Sequence, residues 1–263
     1  MKKLLIIFAC LSIIACNNGK DKEADTGMVP SDLVQSELKG DISMIEETPY
    51  KTDSTGAIGE MDSCCITTEE YNENGNQVKF VSRTKDGKIS MENIFTRHPN
   101  GAWKGMTSMK DGKVRTSMET TMNDKGEYTS AVVKDSADKL DVYYTDITQT
   151  DFAGVTGWKQ YDKDSVFRVS GESKYDKYRQ IEFATKDSVG NLKSSGTTKY
   201  NDKGERIENS FTNVGKDSTK TTVTKYTYET HDEMGNWTQQ TTWDENGKAT
   251  KIVKRKYTYR KSE

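Results

Sequence analysis

Turn-forming peptides recur along this chain at a nearly fixed interval, and that interval limits the fold more than any other feature. One set runs Asn72-Glu-Asn-Gly75, Pro99-Asn-Gly101, Asn123-Asp-Lys-Gly126, Asn201-Asp-Lys-Gly204 and Asp232-Glu-Met-Gly235. A second set, centred on Gly87, Gly112, Asp138, Asp164 and Gly190, is spaced 25, 26, 26 and 26 residues apart. Asp244-Glu-Asn-Gly247 adds a further turn of the same kind. Gly or Asn supplies the positive φ that tight hairpins demand, and Asp or Asn closes the turn with its own side chain. The segments between turns, roughly 8–10 residues each, alternate apolar and polar side chains and lack a helical period. Val78 and Phe80 share a parity; so do Ile89, Met91 and Phe95, and so do Val114, Met118 and Met122.

This pattern predicts an all-β chain: a long twisted antiparallel β-meander of two-strand repeats with a period of 25–26 residues. Alternate turns fall on opposite edges. Two first-set turns, near residues 152 and 178, are degenerate, and the interval from Gly204 to Gly235 carries an insertion. About fifteen strands, about 4.8 Å apart, would make a sheet some 70 Å across. Hydrophobic residues are only 32% of the chain and the mean hydropathy is −0.89. That composition favours a single-layer or partly rolled sheet over a filled sandwich. A Met-rich face (Met91, Met106, Met109, Met118, Met122) is the expected interior, because Met fills irregular gaps. Disorder is the competing reading of the low hydropathy, but regular turns, thirteen Tyr and three Pro speak against it.

The first residues stand apart. Met1-Lys2-Lys3 is basic, and Leu4 to Ile14 is apolar but for Ser12. That run is too short to span a bilayer and reads as the hydrophobic part of a signal peptide. It stops at Ile13-Ile14-Ala15-Cys16, which resembles a bacterial lipobox. The resemblance implies a lipoprotein signal peptide over 1–15 and a Cys16 N-terminus bearing two or more acyl chains, a palmitate-type anchor stable on a membrane. Asn17 after the Cys implies the outer membrane, on its cell-surface or periplasmic face. Residues 16–37 are read as lipid anchor and flexible tether, and 38–263 as the β-repeat domain. Lys20-Asp-Lys-Glu-Ala-Asp25 resembles an acidic export tether, or is a solvated linker. Within 16–37, Ser31 after Pro30 is expected to cap a helix of no more than about two turns.

Tyr200-Asn-Asp-Lys-Gly-Glu-Arg206 and Tyr226-Thr-Tyr-Glu-Thr-His-Asp-Glu-Met-Gly-Asn-Trp-Thr238 resemble YD-type (RHS-like) repeats. Leu38 to Tyr50 looks like the opening strand of small Bacteroidetes-type lipoproteins that carry them. The resemblance spans roughly residues 38–260, with a poor match over 135–180. It implies a cell-envelope β-repeat architecture and does not extend to the closed toxin shells of the long members.

Chemistry is sparse. Without residues 1–15 the chain holds 37 Lys+Arg against 41 Asp+Glu, interspersed, so no basic footprint for nucleic acid exists. His98 and His231 are far apart, and with Cys64-Cys65 they give no metal-ligand spacing. The two cysteines read either as a vicinal disulfide or as two small thiols. Paired acids such as Asp162 with Asp164, or Asp244 with Glu245, are explained by turn formation. Nucleophile motifs, phosphate loops and cofactor motifs are absent. The expectation is therefore a non-enzyme with no cofactor and no metal.

Two further features point to surfaces. Trp237 and Trp243 share a parity near Tyr226 and Tyr228; exposed they form a binding platform, buried they close the terminal sheet. Asp-Ser/Thr pairs at Ser54, Ser136, Ser165, Ser188 and Ser218 resemble O-glycosylation sites of Bacteroidetes envelope proteins, or are chance matches. The functional expectation is a non-enzymatic, lipid-anchored envelope protein acting as scaffold or binding surface for a protein or glycan. The alternative is an envelope immunity or antitoxin-like protein.

Overall fold

The computed structural model describes residues 28–53 and 55–261. The expected signal peptide, Cys16 and Ser54 lie outside them. A one-turn helix, α1 (Asp32–Gln35), precedes seventeen strands. They are β1 (Ile42–Thr52), β2 (Ile58–Met61), β3 (Cys64–Tyr71), β4 (Gln77–Thr84), β5 (Ile89–Arg97) and β6 (Trp103–Lys110). Then follow β7 (Lys113–Met122), β8 (Tyr128–Asp135), β9 (Leu140–Gln149), β10 (Val155–Asp162), β11 (Phe167–Asp176) and β12 (Arg179–Asp187). The chain ends with β13 (Leu192–Tyr200), β14 (Arg206–Val214), β15 (Thr219–His231), β16 (Trp237–Trp243) and β17 (Ala249–Tyr259).

The turns form as their residues dictate. Asn72 Oδ1 accepts the backbone N–H of Asn74 and Asn76 at 3.1 and 3.0 Å. Asp135, Asp162, Asp187, Asn201, Asp232 and Asp244 repeat this clasp on the residues two and four ahead. The fourth turn residue takes positive φ, as at Gly75 (74°) and Gly126 (77°). Two turns keep the geometry with another residue in the glycine's place: Ala153, in the degenerate turn near 152, has φ 63°, and Ser165, in a second-set turn, has φ 61°. Over β10–β17, four tyrosines then tie a hairpin to the preceding one. Tyr175, Tyr200, Tyr228 and Tyr257 donate their hydroxyls to the carbonyls of Val155, Gln180, Arg206 and Trp237, at 2.9–3.3 Å. This ladder is the physical use of the recurring Tyr.

Consecutive strands pair antiparallel, as the meander requires. The sheet is not open, however. β1 pairs with β17 from Ile42↔Tyr259 to Tyr50↔Ile252, and with β3 from Met44↔Glu70 to Glu47↔Thr67. The sixteen strands β1 and β3–β17 thereby close into a barrel, and β2 pairs with the far end of β1. This corrects the expectation of a single-layer or partly rolled sheet. Closure abolishes both edges, which satisfies every strand's backbone without a second layer. An even strand number lets the first and last strands meet antiparallel.

Directly paired residues share a face, so the register sorts the wall into two surfaces. One contains Ile45, Glu69, Phe80, Asn93, Met106, Met118, Val133, Val142, Tyr144, Phe183, Gly196, Phe211, Thr222, Tyr228, Val253 and Arg255. Leu33 of the N-terminal segment packs on Ile42, Ile45 and Tyr71 of this surface. That segment also touches turns on several sides of the ring, so it lies across a mouth and the surface it packs on lines the lumen. The opposite, outward face carries Lys–carboxylate pairs across strands. Lys79–Glu92, Lys174–Glu182, Lys186–Glu172 and Lys199–Glu208 lie 2.6–3.0 Å apart.

The expected Met-rich interior is only partly right. Met106 and Met118 pair inside the lumen, whereas Met109 pairs with Glu92 and Val114 on the outward face. Residues 106 and 109 differ by an odd number, so a strand cannot present both on one side. A ring of sixteen strands is roughly 30 Å across, too wide for one layer of side chains to fill. Apolar packing accordingly concentrates on separate arcs: Met118, Ala131, Val133, Val142 and Tyr144 form one cluster, and Leu33, Ile42, Ile45 and Tyr71 another.

Candidate functional site: a capped lumen

One mouth, at the first-set turns, is covered by residues 28–40. Ser31 caps α1 as expected, with the Val34 N–H on its hydroxyl. Val29 N–H donates to Asn100 O at 2.8 Å and Leu33 N–H to Gly75 O at 3.0 Å. Asp32 accepts the Gln77 N–H at 2.6 Å and pairs with Arg97. On the far side, Lys39 and Asn236 exchange two hydrogen bonds at 2.8 and 2.9 Å, and Glu37 approaches Lys177 at 4.0 Å. The last part of the expected tether is thus a cap spanning the ring from β3–β4 to β15–β16.

Beneath the cap lies a charged cluster. Arg255, with only 10% of its side chain exposed, donates Nε to Glu47 at 2.9 Å and stacks on Trp237 at 3.9 Å. Burial works against its charge, but Glu47, then Tyr257 and Glu69, hold its pKa above the ordinary arginine value. Glu69 accepts the Tyr71 hydroxyl. Loss of solvent, and then the neighbouring Glu47, raise the Glu69 carboxyl, against the opposing pull of Arg255. Burial likewise raises Asp32, with Arg97 opposing.

A pH dependence follows. A carboxyl with a raised folded pKa binds protons more tightly when folded, so the native state is favoured at low pH. Its contribution declines as pH rises from the unfolded value, 4.5 for Glu69, through the raised folded value. Glu69→Gln should flatten part of that decline; Asp32, shifted the same way, supplies the remainder. Urea midpoints measured from pH 4 upward, wild type against Glu69→Gln, check this. Parallel curves would contradict it.

The four aromatics, read as a platform if exposed or a closure of the terminal sheet if buried, are divided between two faces. Tyr226 and Tyr228 face the lumen, the former under Arg206 at 4.3 Å, the latter bonded to Gln240. Trp237 also faces inward, between Arg255 and Tyr228. Trp243 faces outward, opposite Lys225, with its indole N–H on Thr227. Register shifts between Tyr228 and Thr230, and between Thr230 and His231, insert extra residues. A bulge reverses the parity on which the shared face was read.

Ser136, Ser165, Ser188 and Ser218 are all exposed, in second-set turns. Cys64 and Cys65 are joined to one another. His98 contacts the Thr120 hydroxyl at 3.0 Å and His231 pairs with Glu205, each a local link. Among the described residues no group of three or more His, Cys, Asp or Glu is placed to hold a metal. Sequence reasoning missed Glu47, Glu69 and Arg255. Their only signal was a charged residue at the apolar parity of its strand, as Arg255 is between Val253 and Tyr257.

Away from the cap the lumen is open to water: inward-facing Phe211 is 40% exposed, and Asn213 and Thr222 are exposed as well. The barrel is similar to a crystal structure of a porin-like protein from Bacteroides uniformis, with a TM-score of 0.52 and 15% identity over 82% of this chain and 98% of that one. A porin-like protein from Bacteroides vulgatus aligns over the same shares at 14% identity, with a TM-score of 0.35. The first likeness shows the fold alone. No family model and no curated protein matches the chain.

Proposed function

We propose that this chain is a non-enzymatic, lipid-anchored protein of the outer membrane whose barrel is a binding module for a glycan or protein. The observation that carries the reading is the outward wall. A barrel that spans a bilayer presents an apolar band to lipid. Here the outward face carries Lys–carboxylate pairs across its strands instead. Membrane attachment is then left to acyl chains on Cys16. The chain enters the barrel at the capped mouth, so the open mouth points away from the anchor. The tyrosine ladder supports kinship with YD-type repeat lipoproteins, since it gives their Tyr a structural role.

Intact mass and surface proteolysis test this together. The mass of the purified protein should equal residues 16–263 plus acyl chains. Protease added to intact cells should remove the barrel if it faces outward, and should spare it until the outer membrane is broken if it faces the periplasm. An unacylated chain that keeps residues 1–15 would sink the proposal.

A further inference from the structure

The lumen wall over β11–β15 carries an arrangement that nothing above uses. Register places Ser173, Phe183, Gly196, Phe211 and Thr222 in one row on the inward face. Gly196 makes the row work: a Cβ there would sit 2.3 Å from Phe183 Cε1, so only glycine lets that ring lie flat across the strand. Phe183 and Phe211 consequently stack from either side, with centroids 6.1 Å apart and planes 28° apart. Phe211 is exposed although it faces the lumen. Its stack on Phe183 covers one part of the ring and leaves the rest displayed to interior water, on a wall otherwise hydroxyl-rich.

Over β13–β15 the flanking rows are polar. Towards the open mouth stand Thr185, Ser194, Asn213 and Lys220; towards the cap stand Thr198, Asn209 and Thr224. Thr185 and Ser194 bond to each other at 2.7 Å, and the Thr198 hydroxyl points to Asn209 Oδ1 at 3.3 Å. A flat aromatic strip between rows of hydroxyls and carboxamides matches a sugar ring. The C–H face of a pyranose is apolar and stacks on aromatics. Its equatorial hydroxyls need donors and acceptors at the periphery, and carboxamides supply both. The only charged residue in these rows is Lys220.

We infer that the Phe183–Phe211 strip is a binding subsite for a neutral oligosaccharide, entered through the uncapped mouth. The inference deepens the binding reading above and rests on it only in treating the lumen as a binding surface.

The test is saturation-transfer NMR on the full chain in lipid nanodiscs, with cellohexaose, maltohexaose, xylohexaose and mannohexaose as probes. At least one sugar should receive magnetisation at its ring C–H protons. Phe211→Ala should weaken that sugar's binding about tenfold, the worth of one lost aromatic stack. Asn213→Ala, at an exposed position, should weaken it without changing the thermal melt, which keeps the test decisive if Phe211→Ala proves unstable. Lys225→Ala, on the outward face, should leave it unchanged. No transfer to any of the four sugars, or full binding by Phe211→Ala and Asn213→Ala, overturns the inference. So does a loss confined to Lys220→Ala, which would mark an anionic ligand. Failure here with Cys16 acylated leaves the envelope reading standing; an unacylated chain that binds sugar through Phe211 defeats the anchor and keeps the subsite.

Discussion

Replacing Cys16 with Ser is expected to move this protein from the membrane fraction to the soluble fraction, with no detergent required. Two acyl chains give a stable anchor, whereas one is marginal and none leaves only the protein surface. That surface offers lipid little. Lys199 and Glu208 face outward as a pair 2.8 Å apart, and Lys174 and Glu182 at 2.6 Å. A Lys on the lipid face of a spanning barrel costs about 2–4 kcal/mol at the midplane and less towards the interfaces, so several such positions on one wall disfavour insertion. Ultracentrifugation of lysed cells reads the outcome. Cys16→Ser protein that still sediments with membranes, and is released only by detergent, would contradict the account.

The second large effect is expected at Arg255. Arg255→Leu should lower the unfolding free energy by about 3–5 kcal/mol, because it strips Glu47 of its partner in a site shielded from water. For a barrel of this size that is a fall in melting temperature of roughly 10 °C or more. Trp237 would lose the guanidinium stacked at 3.9 Å as well. Pairing the change with Glu47→Gln should recover much of the loss, since the isolated carboxylate is the main cost. Differential scanning calorimetry of the single and double variants distinguishes this from simple loss of packing, in which the second substitution would add to the damage.

The hairpins were legible in the sequence because each is specified locally. Asn123 clasps the backbone of Lys125 and Glu127, and Gly126 supplies the positive φ, all within five residues. The degenerate turns show the limit of that signal: Ala153 and Lys177 adopt the left-handed conformation with φ 63° and 55°, and neither is a glycine. Closure was not legible. It depends on β1 meeting β17, a pairing of residues such as Ile45 and Tyr257 that no turn connects. Strand parity failed where extra residues intervene, which is why Trp237 and Trp243 part company. The lumen subsite was hidden for a related reason. Phe183, Gly196 and Phe211 belong to three strands, and only the register brings them into one row.

The central claim is that the outer wall of the barrel stands in water and lipid touches the protein only through its N-terminus. Spin labels on the outward face test it most directly. Glu182→Cys and Lys225→Cys each place a label at an exposed outward position. The labelled full chain would be reconstituted in vesicles and probed with a water-soluble nickel chelate and with oxygen. Strong collision with nickel and weak collision with oxygen at both positions is the predicted result. The reverse, oxygen-rich and nickel-poor, would mean that the wall is embedded in the bilayer and would contradict the account.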